Sequence, residues 1–205
     1  MMIGGLFWSA TYILIIRRGF KDKTFGMPMA ALCANISWEI IFAFFIPHNA
    51  PQIYVNYIWF SLDVIIVIQF LKYGKKEFPN IPRWQFFAVF ALGISMSIPM
   101  ILAINYEFED EIGAYAAFGQ NLVMSILFVT MLINRAGIGG QSFYIALFKM
   151  IGTGIISLAF YQYKSIAQDS ILLQLLFVSI FVFDLIYTVG IYRKCKHSEI
   201  PLKRF

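Results

Sequence analysis

The stretch GMPMAALCANISWEIIFAFFIP, Gly26 to Pro47, decides how the rest of the chain is read. It is apolar and long enough to cross a bilayer, because about 20 helical residues at ~1.5 Å each span a hydrocarbon core of about 30 Å. One acid, Glu39, stands inside it. The chain has put a carboxyl where a charge is costly.

The 205 residues are 60% hydrophobic and only 13% charged, whereas a soluble domain carries about a quarter charged residues. The apolar residues fall into blocks separated by short charged stretches: Met1 to Ile16, Met27 to Ile46, Tyr54 to Leu71, Trp84 to Ile104, Gly113 to Ile133, Ser142 to Phe160 and Ser170 to Tyr192. That pattern predicts an all-α, polytopic bundle of seven transmembrane helices, forming a single domain over residues 1–205. The first block lacks the basic start and small-residue cleavage site of a signal peptide and runs into Arg17 and Arg18, so it is expected to be a retained helix. A chain of this kind handles its substrate between the helices or at their ends.

The net charge of +5 gains meaning from where the cations sit. Arg17, Arg18, Lys21, Lys23, Lys72, Lys75, Lys76, Arg83 and Arg135 follow the first, third and fifth blocks, and Arg193, Lys194, Lys196, Lys203 and Arg204 lie in the tail. The opposite connections, HNAPQ, NYEFEDE and YQYKSIAQDS, hold Lys164 alone. By the positive-inside rule the N-terminus is expected outside and the C-terminus in the cytoplasm. Topology and anionic lipid account for the basic residues, and no nucleic acid is needed as a partner.

Several chemistries are set aside on residue type. Two cysteines, Cys33 and Cys195, make no disulfide framework, and the two histidines, His48 and His197, sit at loop positions on opposite sides, so no metal site is expected. A retinal protein needs a lysine in its seventh helix, and that block holds none. The run EFEDE, Glu107 to Glu111, is read as a solvated outer loop in preference to a magnesium and diphosphate site. No repeat relates the first three blocks to the last three, which speaks against a repeat-built transporter, and the Pro51-Gln52 pair alone carries nothing.

Four ionisable residues remain inside apolar blocks: Glu39, Asp63, Lys149 and Asp184. Each costs roughly 2.5–3.5 kcal/mol at a helix centre, so each is expected to face the bundle interior. Glu39 and Asp184 each lie about 13 Å from a helix end, and Asp63 at similar depth, which puts all three acids near mid-membrane. A carboxyl deprived of water favours its neutral, proton-carrying form. Lys149 is expected to pair with one acid, and one lysine neutralises only one of three. Asn35 shares a helix face with Glu39, Tyr187 with Asp184, and Asn121 with Ser125, which points to a convergent polar pocket; for Asn121 and Ser125, interhelical hydrogen bonds that hold the bundle together stay open as the alternative. Gly152 and Thr153, on the face of Lys149, are read as a packing surface.

The segments GMPMAALCANISWE (26–39), AAFGQNLVMSILF (116–128), GQSFYIALFKMIGT (140–153) and FDLIY (183–187) resemble the small integral-membrane terpene cyclases of fungal meroterpenoid and indole-diterpenoid (paxilline-type) pathways and their bacterial relatives. The resemblance extends in order over nearly the whole chain. It implies a cyclisation started by protonation, with two essential acids that match Glu39 and Asp184. It implies a lipophilic substrate, a linear farnesyl or geranylgeranyl chain on another ring system, with or without a terminal epoxide, and neither metal nor organic cofactor. It also implies a multi-pass protein of the plasma membrane in a bacterium or of the endoplasmic reticulum in a fungus.

The residues fit that chemistry on their own terms. Protonating an alkene or epoxide needs a neutral acid in a dry pocket, and aromatic faces stabilise passing positive charge. Glu39 is assigned as initiating acid with Asn35 orienting it, and Asp184 as partner acid or relay; the reverse assignment stays open. Trp38, Trp59 and Tyr187 are candidates for stabilising cations, Asp63 and Lys149 for completing the polar network, and Asn121 and Gln141 for lining the pocket. A second reading, a proton-coupled transporter or sensor using the same buried acids, also stays open.

Overall fold

The computed structural model describes residues 2–197; Met1 of the first block and Lys203 and Arg204 of the tail lie outside the described residues. All regular structure among the described residues is helical: α1 (Met2–Asp22), α2 (Met29–Ile40), α3 (Gln52–Tyr73), α4 (Arg83–Glu107), α5 (Ala114–Asn134), α6 (Phe143–Tyr163), α7 (Ser165–Gln168) and α8 (Ile171–His197). A wider π turn, Ile41–Phe45, extends α2, and a tighter 3-10 turn, Gly74–Glu77, extends α3. There are thus eight helices among the described residues and not seven. The additional one, α7, has four residues and sits in a connection, too short to leave a periodic apolar signal.

The other helices overlay the seven apolar blocks, and several outrun them. α1 continues past Ile16 to Asp22 and α8 past Tyr192 to His197, because backbone hydrogen bonding needs no apolar side chain and basic residues in a last turn complement the helix dipole. Five helical segments are long and apolar enough to cross a membrane: Gln52–Glu77, Arg83–Glu107, Ala114–Asn134, Phe143–Tyr163 and Ile171–His197. Met29–Phe45 is a shorter apolar helix.

Local sequence sets the boundaries. Pro28 and Pro82 stand directly before α2 and α4, where a missing N–H costs nothing. Ser142 caps α6, its hydroxyl accepting from the Ile145 amide at 3.2 Å. Gly113, at φ +65° before α5, lies so close to the Phe42 ring that a Cβ there would fall 2.2 Å from it. Asp110 closes the same turn by accepting from the amides of Tyr115 (2.8 Å) and Ile112 (3.3 Å). The EFEDE run is therefore not wholly a solvated loop, since Asp110 is buried and acts as a cap while Glu107, Glu109 and Glu111 stay exposed.

The packing traces a ring in which α1 lies between α3 and α6, α6 meets α8, α8 meets α5, α5 meets α2, and α2 returns to α3. α4 leans on the outside against α2 and presents Val89, Leu92, Met96 and Met100 outward. At the α1–α6 crossing Gly4 faces Gly152, where a Cβ on Gly4 would lie 2.9 Å from the Gly152 carbonyl oxygen. In lipid, helix association depends on such close packing and on interhelical hydrogen bonds, since apolar side chains gain nothing by leaving hydrocarbon.

The connections after α1, α3 and α5 gather at one end with the end of α8. Arg135 joins them, donating to the carbonyls of Phe25 (2.9 Å) and Gly139 (2.6 Å) and pairing with Glu77 at 3.1 Å. Lys194 donates to the Leu132 carbonyl at 2.8 Å. Arg18 is not a loop cation: it is buried within α1, paired with Asp22 at 2.7 Å. The acidic connections meet at the other end, around a wide opening.

Candidate active site

The ring divides into two halves, and each buries one polar cluster. α1, α2 and α3 contribute Tyr12, Asn35, Glu39 and Asp63, all buried. Asn35 and Glu39 are one helical turn apart on α2 and face inward together. The Asn35 amide donates to Asp63 Oδ2 at 2.7 Å and to Glu39 Oε1 at 3.2 Å, and also contacts the Tyr12 hydroxyl. Tyr12 itself donates to Glu39 Oε1 at 3.2 Å. The Asn35 amide thus bridges the carboxyls of Glu39 and Asp63. Among the described residues no cation forms an ion pair with either.

α5, α6 and α8 bury the second cluster. Lys149, fully buried, donates to Asp184 Oδ1 (2.6 Å), Ser125 Oγ (2.6 Å) and Asn121 Oδ1 (3.0 Å). Asn121 donates onward to Thr153 at 3.1 Å. All three ammonium hydrogens are therefore used, and the charge is matched by one carboxylate. Thr153 belongs to this network, so of the two residues read as a packing surface Gly152 packs against α1 and Thr153 faces the polar cluster. Trp8 of α1 joins the halves, with the Lys149 ammonium 5.6 Å from its ring and its edge on Tyr12.

A small chamber of about 90 Å³ lies between the clusters, walled by Trp8, Tyr12, Trp38, Trp59 and Met124 and reached by the polar groups of Glu39, Asn35, Gln120 and Asn121. Above it, toward the acidic end, opens a cavity of about 1260 Å³ that shares Trp38, Trp59, Ala117 and Asn121 with the chamber. Its deeper wall includes Phe118, Ile156 and Phe160; its rim carries His48, Gln52, Asn105, Glu107, Glu109 and Lys164. The space thus runs from a polar mouth down a largely apolar shaft to an acid.

The mouth is built from neutral contacts. His48 accepts from the Asn56 amide at Nδ1 (2.9 Å) and donates from Nε2 to the Ile112 carbonyl (3.2 Å). Burial in this position holds its pKa below the ordinary 6.5. At Asp110 burial pushes the pKa up, against the backbone amides that favour its charged form. Trp38 is held by donating to the Gly113 carbonyl at 3.1 Å, and Trp59 by donating to Ser9 at 3.1 Å.

With this arrangement in view, residues 1–197 match the family described as Pyr4-like transmembrane terpene cyclases. The chain belongs to that family. Among relatives, a Pyr4-family terpene cyclase, mfmH, of Annulohypoxylon moriforme is 32% identical over 168 residues, covering 78% of this chain and 68% of the relative. Asnovolin H synthase nvfL of Aspergillus novofumigatus is 30% identical over 152 residues (71% of this chain, 62% of the relative). Terpene cyclase pyr4 of Aspergillus fumigatus is 25% identical over 162 residues (76% and 66%). The chain spans roughly three-fifths to two-thirds of the length of these relatives. No solved structure matches it significantly.

In this transmembrane terpene cyclase family member, the ten residues singled out by sequence separate into groups. Glu39, Asn35, Trp38, Trp59 and Asn121 line the chamber. Asp63 stands directly behind Glu39 and Asn35, and Lys149 and Asp184 stand behind Asn121. Gln141 and Tyr187 do not line either space: Tyr187 donates to Gln141 at 3.2 Å, both buried, with the Tyr187 ring against Phe128. Lys149 pairs with Asp184, and among the described residues no ion pair reaches Glu39. Trp8, Tyr12, Gln120 and His48 were not singled out by sequence. Trp8 and Tyr12 do repeat at helical spacing on α1, but no acid lies near them in that block to mark the face; Gln120 and His48 carry no distinguishing pattern.

Proposed function

We propose that this chain cyclises a linear prenyl chain by protonating its far end, with Glu39 as the initiating acid. The observation that carries this is the state of Glu39. Its carboxyl is 1% exposed, receives hydrogen bonds only from neutral groups, has no cation partner among the described residues, and lines a tryptophan-walled chamber at the foot of a large apolar cavity. A carboxyl so placed is a proton donor, and dryness protects the carbocation from capture by water.

The step balances without a co-reactant. The O–H bond of the acid breaks as the proton joins an epoxide oxygen or a terminal alkene carbon. The resulting cation is closed by the π electrons of the next double bond, and a proton lost at the end returns the chain to the starting count, so substrate and product are isomers. Trp38 and Trp59 face the path and are suited to stabilise cations. Asp184, held by Lys149, contributes through Asn121 as the partner acid behind the chamber wall.

The substrate is a lipophilic prenylated compound of farnesyl or geranylgeranyl type on a meroterpenoid or indole-terpenoid ring system, its tail in the shaft and its polar end at the mouth. The names of the relatives support the reaction class. Seven helices cross the bilayer as a single domain over 1–205, N-terminus outside and tail in the cytoplasm; the gathering of cations at one end supports this orientation. The membrane is the endoplasmic reticulum in a fungal cell or the plasma membrane in a bacterial one.

The test is conversion of a linear prenylated aromatic, with and without terminal epoxide, to a cyclic isomer of equal mass by membranes carrying the full chain. Glu39→Gln is expected to lower the rate by at least about 100-fold, the scale of a lost general acid, with the protein still folded by circular dichroism. A variant that turns over normally sinks the assignment. A transporter using the same acids would leave its solute chemically unchanged.

A further inference from the structure

Asp63 and Tyr12 are fully buried beside the acid, yet nothing in the proposed reaction so far uses them. Each of the two carboxyls has one oxygen occupied by donors and one left bare. Glu39 Oε1 accepts from Tyr12 and Asn35, and Asp63 Oδ2 accepts from Asn35. Glu39 Oε2 and Asp63 Oδ1 are buried with no donor. Two buried like charges bridged by one amide, with no ion-paired cation among the described residues, are strongly disfavoured. One proton removes one charge and gives one bare oxygen a hydrogen.

We infer that Glu39 and Asp63 share a single transferable proton, and that Tyr12 is the positioning residue that favours Glu39 Oε2 as its seat. The carbonyl oxygen of a neutral carboxyl accepts hydrogen bonds better than its hydroxyl oxygen. Two donors converging on Oε1 therefore select Oε1 as the carbonyl and Oε2 as the bearer of hydrogen. The same two donors stabilise the carboxylate left when that hydrogen departs, and they are in place beforehand. In the transfer the Oε2–H bond breaks and its electron pair stays on Glu39, where Tyr12 and Asn35 hold it; the proton lost from the last cation recharges the pair. Asp63, which lines neither the chamber nor the cavity, is the second seat of the proton and Glu39 its delivery point.

This inference rests on the reading of Glu39 as initiating acid, and the experiment is chosen so that the two fail separately. Infrared difference spectra are taken of the full chain in phosphatidylcholine vesicles, with no substrate. The expected result is a carboxylic carbonyl band that shifts to higher frequency in Tyr12→Phe, because Oε1 loses a donor, and that also moves in Asp63→Asn, because the proton is no longer shared. Both replacements keep the shape of the side chain. Glu39→Gln identifies the band by displacing it. A band unmoved by Tyr12→Phe, or one untouched by Asp63→Asn, overturns the inference.

In turnover of an epoxyfarnesyl-substituted phenol or indole, Tyr12→Phe is expected to lower kcat about three- to tenfold, the effect of one hydrogen bond. KM is expected to stay within about twofold, because the hydroxyl is engaged with Glu39. A change in KM alone would make Tyr12 a binding residue and overturn its positioning role. Bands that move as described in a protein that cyclises neither compound count against the proposed function and leave the shared proton standing.

Discussion

At the scale of single residues, two acids that look equivalent in sequence have opposite surroundings. Asp184 is matched by Lys149 at 2.6 Å, whereas Glu39 has only neutral donors and a second carboxyl. A buried ion pair of this kind is costly to break, because the charge left behind has no water to turn to. Lys149→Met alone is expected to destabilise the protein by about 3–5 kcal/mol, and Lys149→Met with Asp184→Leu to recover most of that loss. Thermal unfolding of the two variants in detergent checks this; equal destabilisation would show that the pair is not the source of the effect. The recovered double variant is expected to remain poorly active, since Asn121 loses the partner that orients it.

At the scale of elements, the mouth depends on the turn between α2 and α3 being held to the start of α5. His48 does this in its neutral form, accepting at one nitrogen from Asn56 and donating from the other to Ile112. Protonation puts a second hydrogen on Nδ1, facing the Asn56 donor. Because the folded pKa lies below the ordinary 6.5, the unfolded chain takes up the proton first as pH falls. The stability His48 contributes is thus complete above about pH 6.5 and lost as pH falls below it toward the folded value. Unfolding temperature measured from pH 7.5 to 5 is expected to decline in the wild type and to decline less in His48→Gln; identical slopes would remove His48 as the cause.

At the scale of the whole molecule, the ring of helices sets its two polar clusters on opposite sides of one chamber and opens widely at its acidic end. If that end faces outward, reporters fused to the two termini fall on opposite sides of the membrane, the C-terminal one in the cytoplasm. Protease protection in sealed vesicles reads this directly. Both termini on one side would require an even number of crossings and a different account of α1, whose last turns carry Arg17, Arg18 and Lys21. The cavity at that end and the chamber of Glu39 share Trp38, Trp59, Ala117 and Asn121 in their walls, the route the proposed reaction would use.

By itself, the sequence determined the helical, membrane-embedded character of the chain, because apolar blocks of about 20 residues have few other stable homes. It also marked Glu39, Asp63, Lys149 and Asp184 as inward-facing, because a charge in lipid has nowhere else to go. It did not reveal α7, whose four residues carry no period, or that Asp110 and Arg18 leave solvent for a cap and an ion pair. Partnership was decided only by the tertiary structure. Depth along a helix is a one-dimensional property written in spacing. Whether Lys149 reaches Asp184 or Glu39, and whether Tyr187 or Tyr12 meets an acid, depends on how α1, α2 and α3 are rotated against α5, α6 and α8. That rotation is set by close packing of small residues such as Gly4 on Gly152, a contact between distant parts of the chain that no local pattern encodes.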